Sequence, residues 1–214
     1  MEYFPLGDLQ PYLSSPLPEK DVQQIAYQLL EGLSFMHDNG FVHRDLKPNL
    51  QNILVQSKKP DWWVKIGDFG ISKRAEEGLT AFRTFGGTPG FIAPEILAQH
   101  GIFDDSDFKT KGEYTVAVDI WSLGEISFRA LTGEQPFLIG SLIKYVRGAS
   151  PFPIEMLQTY NVSEEGCNFL ISLMAPMPGD RLAATNALSH IWVKSQNLSS
   201  TMVSAEIQRY VPGH

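Results

Sequence analysis

The sequence contains one cysteine, Cys167, among 214 residues, so no disulfide can form within the chain and no CxxC pair is present to hold zinc. Cys167 is followed by Asn168, Phe169 and Leu170 and reads as a buried, inert thiol. No apolar run approaches the ~18 residues that cross a bilayer. The opening MEYFPLGDL lacks the basic-then-apolar pattern of a secretory signal. Positive charge is also scarce: 17 Lys and Arg stand against 24 Asp and Glu, a net charge of −7. That balance disfavours a general binder of phosphate backbones. The expectation is an intracellular, reducing location, cytoplasmic or nuclear, with neither membrane nor nucleic acid as a partner.

What is present suits a folded domain or a large part of one. The chain is 43% hydrophobic, and its 18 Gly and 14 Pro are too few for a disordered or fibrous protein. Val22, Ile25, Leu29, Leu33 and Met36 recur at spacings of three and four, which predicts a helix over 18–38 ending at Asn39-Gly40. Three short apolar runs, Phe41-Val42, Ile53-Leu54-Val55 and Trp63-Val64-Lys65-Ile66, read as strands, the last two joined by the polar hairpin loop QSKKPD. Residues 116–132 predict a second helix, apolar on nearly every side and therefore central. Ser163 with Glu164 and Glu165 begins another, and a last helix is expected over about 184–193. The stretch from Gly67 to Glu95 reads as a long glycine-rich loop, a length that usually marks function. Residues 196–214 read as a polar, flexible tail. Asp104, Asp105 and Asp107 lack the central glycine and terminal glutamate of a calcium loop and read as solvated.

Two segments carry chemistry: His43-Arg44-Asp45-Leu46-Lys47-Pro48 after one short strand, and Asp68-Phe69-Gly70 after another. With Ala93-Pro94-Glu95 they resemble, in order and context, the catalytic loop, metal-binding turn and activation-segment end of protein kinases. The resemblance continues through GTPGFIAPEIL (87–97), Asp119-Ile120-Trp121-Ser122-Leu123-Gly124, LTGEQPF (131–137), Arg181 and His190-Ile191-Trp192, while residues 1–13 resemble the hinge and first lower-lobe helix. It covers residues 1–195. Lys47 and Gly87-Thr88 fit the serine/threonine class, and the calcium/calmodulin-dependent group is the most similar part of that class.

The resemblance implies an α+β, mainly helical C-terminal lobe with a few short strands, acting with ATP and Mg²⁺ on serine or threonine of protein substrates. Asp45 would accept the hydroxyl proton and Lys47 would offset the charge of the phosphoryl group. Asp68 and Asn52 would hold magnesium through hard oxygens, and Glu2 and Leu54, with Asp68, would border the nucleotide. Gly70 would permit the turn that aims Asp68, beside Phe69. His43 reads as a packing residue and Arg44 as a partner for a phosphate on Thr80 or Thr84, set there by an upstream activating kinase. Both threonines could equally be plain polar loop residues. Thr88 would shape the substrate pocket, Glu95 and Arg181 would form a buried ion pair, and Asp119 would brace the catalytic loop.

Two departures qualify this. Five residues beyond Asp45, where the kinase pattern has a metal-binding asparagine, stands Leu50; the register recovers at Gln51-Asn52-Ile53, as if Asn49-Leu50 were inserted. No GxGxxG and no VAIK-like lysine occur, so the resemblance implies that the small nucleotide-covering lobe is missing and that the chain alone has little activity. The alternative expectation is a catalytically silent lobe that binds proteins.

Overall fold

The structure, a computed structural model, describes residues 3–44, 46, 52–67, 92–99, 101–103 and 115–195. Helices are α1 (Glu19–Asp38), α2 (Pro94–Gln99), α3 (Ala117–Thr132), α4 (Ile139–Val146), α5 (Ile154–Thr159), α6 (Glu164–Leu173) and α7 (Ala184–Ala187). Short 3₁₀ helices lie at Gln10–Leu13 and Pro178–Asp180. Strands β1 (Ile53–Ser57) and β2 (Trp63–Ile66) form an antiparallel pair in which Ile53 faces Ile66 and Val55 faces Val64.

The predicted stripe on α1 is buried from Val22 through Met36 and packs on β2, α3 and α7. Glu19 and Asp21 in its first turn oppose the helix dipole. At its end Gly40, with φ of 78°, lets the chain reverse, and the Phe41 amide closes back onto the Met36 carbonyl at 2.9 Å. α3 is the pillar of the lobe. Its buried residues surround the helix, and it packs on α1, α5, α6 and the second 3₁₀ helix. Its C-terminus stops at Gly133, whose φ of 75° is a left-handed cap. Ser163 caps α6 by accepting from the Gly166 amide at 3.1 Å. Trp121, Phe137 and Tyr145 stack in series, and Trp192 stacks on Phe169.

Three local expectations need correction. Phe41-Val42 is not a strand: the chain runs directly from the α1 cap to His43 and Arg44, whose amides bond to a side chain on α3 instead of to a sheet partner. The hairpin loop is shorter than QSKKPD because Gln56 and Ser57 still belong to β1. The last predicted helix is broken: α7 ends at Ala187, and a separate helical turn occupies 191–195. The proposed Asn49-Leu50 insertion, the acidic run at 104–107, most of the 67–95 loop and the 196–214 tail lie outside the described residues.

Candidate active site

The site is organised from α3 outward. Asp119, in the first turn of that helix, is 1% exposed. Its Oδ2 accepts from the His43 amide and its Oδ1 from the Arg44 amide, both at 2.8 Å. The ring of His37, at the end of α1, meets Oδ2 at 2.9 Å. One buried carboxylate therefore ties together α1, α3 and the segment leading into Asp45. Charge-assisted bonds to backbone amides are stronger than neutral ones, and this set holds Arg44 in an unusual backbone conformation, with φ of 65°. Asp45 itself lies outside the described residues, but its neighbours bracket it: Arg44 is anchored by Asp119, and Leu46 is buried in the core.

His43 is buried, and its ring nitrogen Nε2 lies 3.2 Å from the Gly67 carbonyl, the residue before Asp68. The Gly67 amide in turn donates to the Asn52 carbonyl at 2.7 Å. A side chain at Gly67 would press on Leu54, since a Cβ there would stand 2.9 Å from Leu54 Cδ1. These contacts bring His43, Asn52, Leu54 and the approach to Asp68 into one neighbourhood. Leu54 is half-buried on β1, bridged to Asp8 by the incoming N-terminal segment. Asn52 is buried, and its side-chain amide oxygen is a hard donor of the kind that a magnesium-like cation takes.

Glu95 and Arg181 meet in a fork, Nη1 to Oε1 and Nη2 to Oε2, each at 2.7 Å. Both are buried, and Arg181 also donates to the carbonyls of Ala117, Ala175 and Pro176 while its guanidinium lies over the Trp121 ring. The pair fastens the start of α2 beneath α3. Glu2, Asp45, Lys47, Asp68, Phe69, Gly70, Thr80, Thr84 and Thr88 lie outside the described residues. Among the described residues no cluster of His, Cys, Asp and Glu could hold a metal by itself, and no helix is long and apolar enough to cross a membrane.

Sequence reasoning missed three supports. His37 carries no motif; only its position at the end of α1 aims it at Asp119. Gln28 bridges α1 to β2, donating to the Trp62 carbonyl at 2.7 Å and accepting from the Val64 amide at 2.9 Å. Glu19 accepts from the Ser163 hydroxyl and the Trp192 indole, each at 2.6 Å. Such side-chain bridges leave no periodic signal.

Comparison with known proteins agrees with this geometry. The protein kinase domain family model matches residues 1–193. Serine/threonine-protein kinase cds1 of Schizosaccharomyces pombe is 37% identical over 196 residues, covering 90% of this chain and 40% of that protein. Calcium/calmodulin-dependent protein kinase type 1 of Caenorhabditis briggsae is 35% identical over 200 residues, covering 92% and 50%. The chain thus spans half or less of the length of these curated relatives. A crystal structure of the Rad53 kinase domain and SCD2 in complex with AMPPNP superposes with a TM-score of 0.68 at 31% identity, covering 91% of this chain and 68% of that one. The fold is protein-kinase-like, and the chain belongs to the protein kinase domain family.

Proposed function

We propose that this chain carries the catalytic loop and substrate-binding lobe of an ATP- and Mg²⁺-dependent kinase that phosphorylates serine or threonine in protein substrates, inside the cell. The observation that carries the reading is the clamp of the Asp119 carboxylate on two consecutive amides, His43 and Arg44, immediately before Asp45. Such a clamp orders the backbone that leads into the next residue, and phosphoryl transfer depends mainly on positioning and counter-charge. In this reading Asp45 accepts the proton of the substrate hydroxyl and Lys47 offsets charge on the transferred group. Asp68 and Asn52 hold magnesium, and Leu54 and Glu2 border the nucleotide. Magnesium supplies counter-charge to the phosphates when bound. Phe69 and Gly70 shape the metal turn, Thr88 borders the substrate, and phosphate placed on Thr80 or Thr84 by an upstream kinase pairs with Arg44. Residues 1–195 form the kinase part and 196–214 a polar appendage, so proteolytic trimming to residue 195 leaves the melting temperature unchanged.

The test is transfer of labelled phosphate from ATP to serine- and threonine-containing peptides, using both the 214-residue chain and the longest product of its gene. Transfer that Asp45→Asn and Asp68→Ala abolish supports the reading; transfer indifferent to both overturns it. A second reading, a silent lobe that binds proteins, is favoured by Leu50 standing where the kinase pattern has its metal-binding asparagine. It expects no transfer and no shift of the melting temperature with magnesium and ATP.

A further inference from the structure

Glu125 is a carboxylic acid with no visible task. It sits in the middle of α3, 1% exposed, and among the described residues neither Oε1 nor Oε2 has a hydrogen-bond partner. Its neighbours along the helix, Leu123, Ile126 and Phe128, are fully buried apolar residues. Trp121, one turn earlier, has an indole nitrogen that likewise finds no partner among the described residues. An ionised carboxylate in such a place loses its hydration and gains nothing in return, whereas a neutral carboxyl loses far less.

The surrounding charges do little to change this. Arg129, one turn on and half-buried, is the charged group that offsets the burial. From the elements packed on α3, His37 on α1 is engaged by Asp119, and Arg181 beyond the second 3₁₀ helix is engaged by Glu95. Asp180 in that 3₁₀ helix, Glu155 on α5 and Glu164 and Glu165 on α6 are exposed acids that offer no compensation. Burial accordingly pushes the Glu125 carboxyl from its ordinary 4.5 up to about 7.

We propose that Glu125 is a proton-operated lock in the central helix: neutral, it lets α3 pack as a continuous apolar pillar, and ionised, it loosens the helix that carries Asp119. The direction follows from linkage. The folded lobe holds this proton at pH values where the unfolded chain has released it, so stability falls as pH rises from the unfolded value towards the folded one, then levels off. Below both values the carboxyl is protonated in either state and contributes no pH dependence. The lock therefore weakens between about 4.5 and about 7.

The experiment is a carboxyl-carbon NMR titration of the full 214-residue chain labelled at glutamate, alongside thermal melts of the wild type and Glu125→Gln from about pH 5 to pH 8. The expected result is one glutamate resonance titrating near neutrality that Glu125→Gln removes. In the melts, the variant gains on the wild type as pH rises and the gap becomes constant above neutrality. Should the variant fail to fold, the wild-type titration decides alone. Every glutamate titrating in the ordinary acidic range, or a gap between the melts that does not change with pH, overturns the proposal.

Discussion

Asp119 shows how much one side chain can organise. Its two oxygens serve two backbone amides and a histidine ring. Asp119→Asn replaces one acceptor by an NH₂ donor pointed at another donor, leaving a buried amide unsatisfied. The expected cost is about 2–3 kcal/mol of stability in urea unfolding. In the proposed kinase, phosphoryl transfer falls by at least ~10-fold, because Asp45 loses its anchored neighbour. The Glu95–Arg181 fork allows a stricter test. Arg181→Ala strands a buried carboxylate and should destabilise by about 3–5 kcal/mol, whereas replacing both partners together, Glu95→Leu with Arg181→Met, should recover much of the loss. A double variant as unstable as Arg181→Ala would show that the stranded charge is not what costs stability.

Among the elements, α3 sets the tightest packing condition. A Cβ added at Gly124 would run into Met174 Cγ and stand 3.3 Å from Leu173 Cβ. Alanine gains ~1 kcal/mol over glycine in helix propensity, but overpacking a filled core costs ~1–3 kcal/mol. Gly124→Ala should therefore lower stability by up to about 2 kcal/mol, and Met174→Val in the same chain should relieve it; chemical denaturation of the pair checks both. The long elements were legible in the sequence for the same reason they are stable. α1 repeats its buried residues every three or four positions over 20 residues, and α6 opens on a serine cap. Phe41-Val42 misled because aromatic and β-branched residues favour strands, yet the following amides are claimed by Asp119, 76 residues away from His43. α4 and α5, of 8 and 6 residues, are too short to show a period. The candidate positions of the site stood out because their order and spacing match a family pattern, with no periodicity needed. Their supports, His37, Gln28 and Glu19, act across distances that only folding creates.

The whole lobe carries opposing pH sensitivities. His190 rests beside the Phe169 ring, and partial burial pulls its imidazole below the ordinary 6.5. The folded state there binds its proton less readily than the unfolded chain, so this contribution is present above about pH 6.5 and is lost on acidification. Glu125 works in the other direction, weakening the fold as pH rises towards 7. His190→Gln should flatten the acid side of a stability–pH profile without altering the neutral side, as read from melts at low and neutral pH.

The distribution of apolar surface supplies a further test at this scale. Phe35, Met36, Phe41, Val64 and Ile66 line a groove of about 380 Å³ between α1 and β2, with Phe35 72% exposed. Trp63, on the opposite face of β2 from Val64, is 49% exposed and held under the Lys65 ammonium. Exposed rings of this kind favour association more than they favour the fold of the single chain. Their removal should therefore separate solubility from stability. Phe35→Ser combined with Trp63→Lys is expected to change the unfolding free energy by no more than about 1 kcal/mol, since Phe35 is largely solvated and Trp63 is half exposed. The same change should reduce dye binding by exposed apolar surface and lower the mass seen by light scattering at high protein concentration. If the two substitutions instead unfold the chain, these exposed rings are structural.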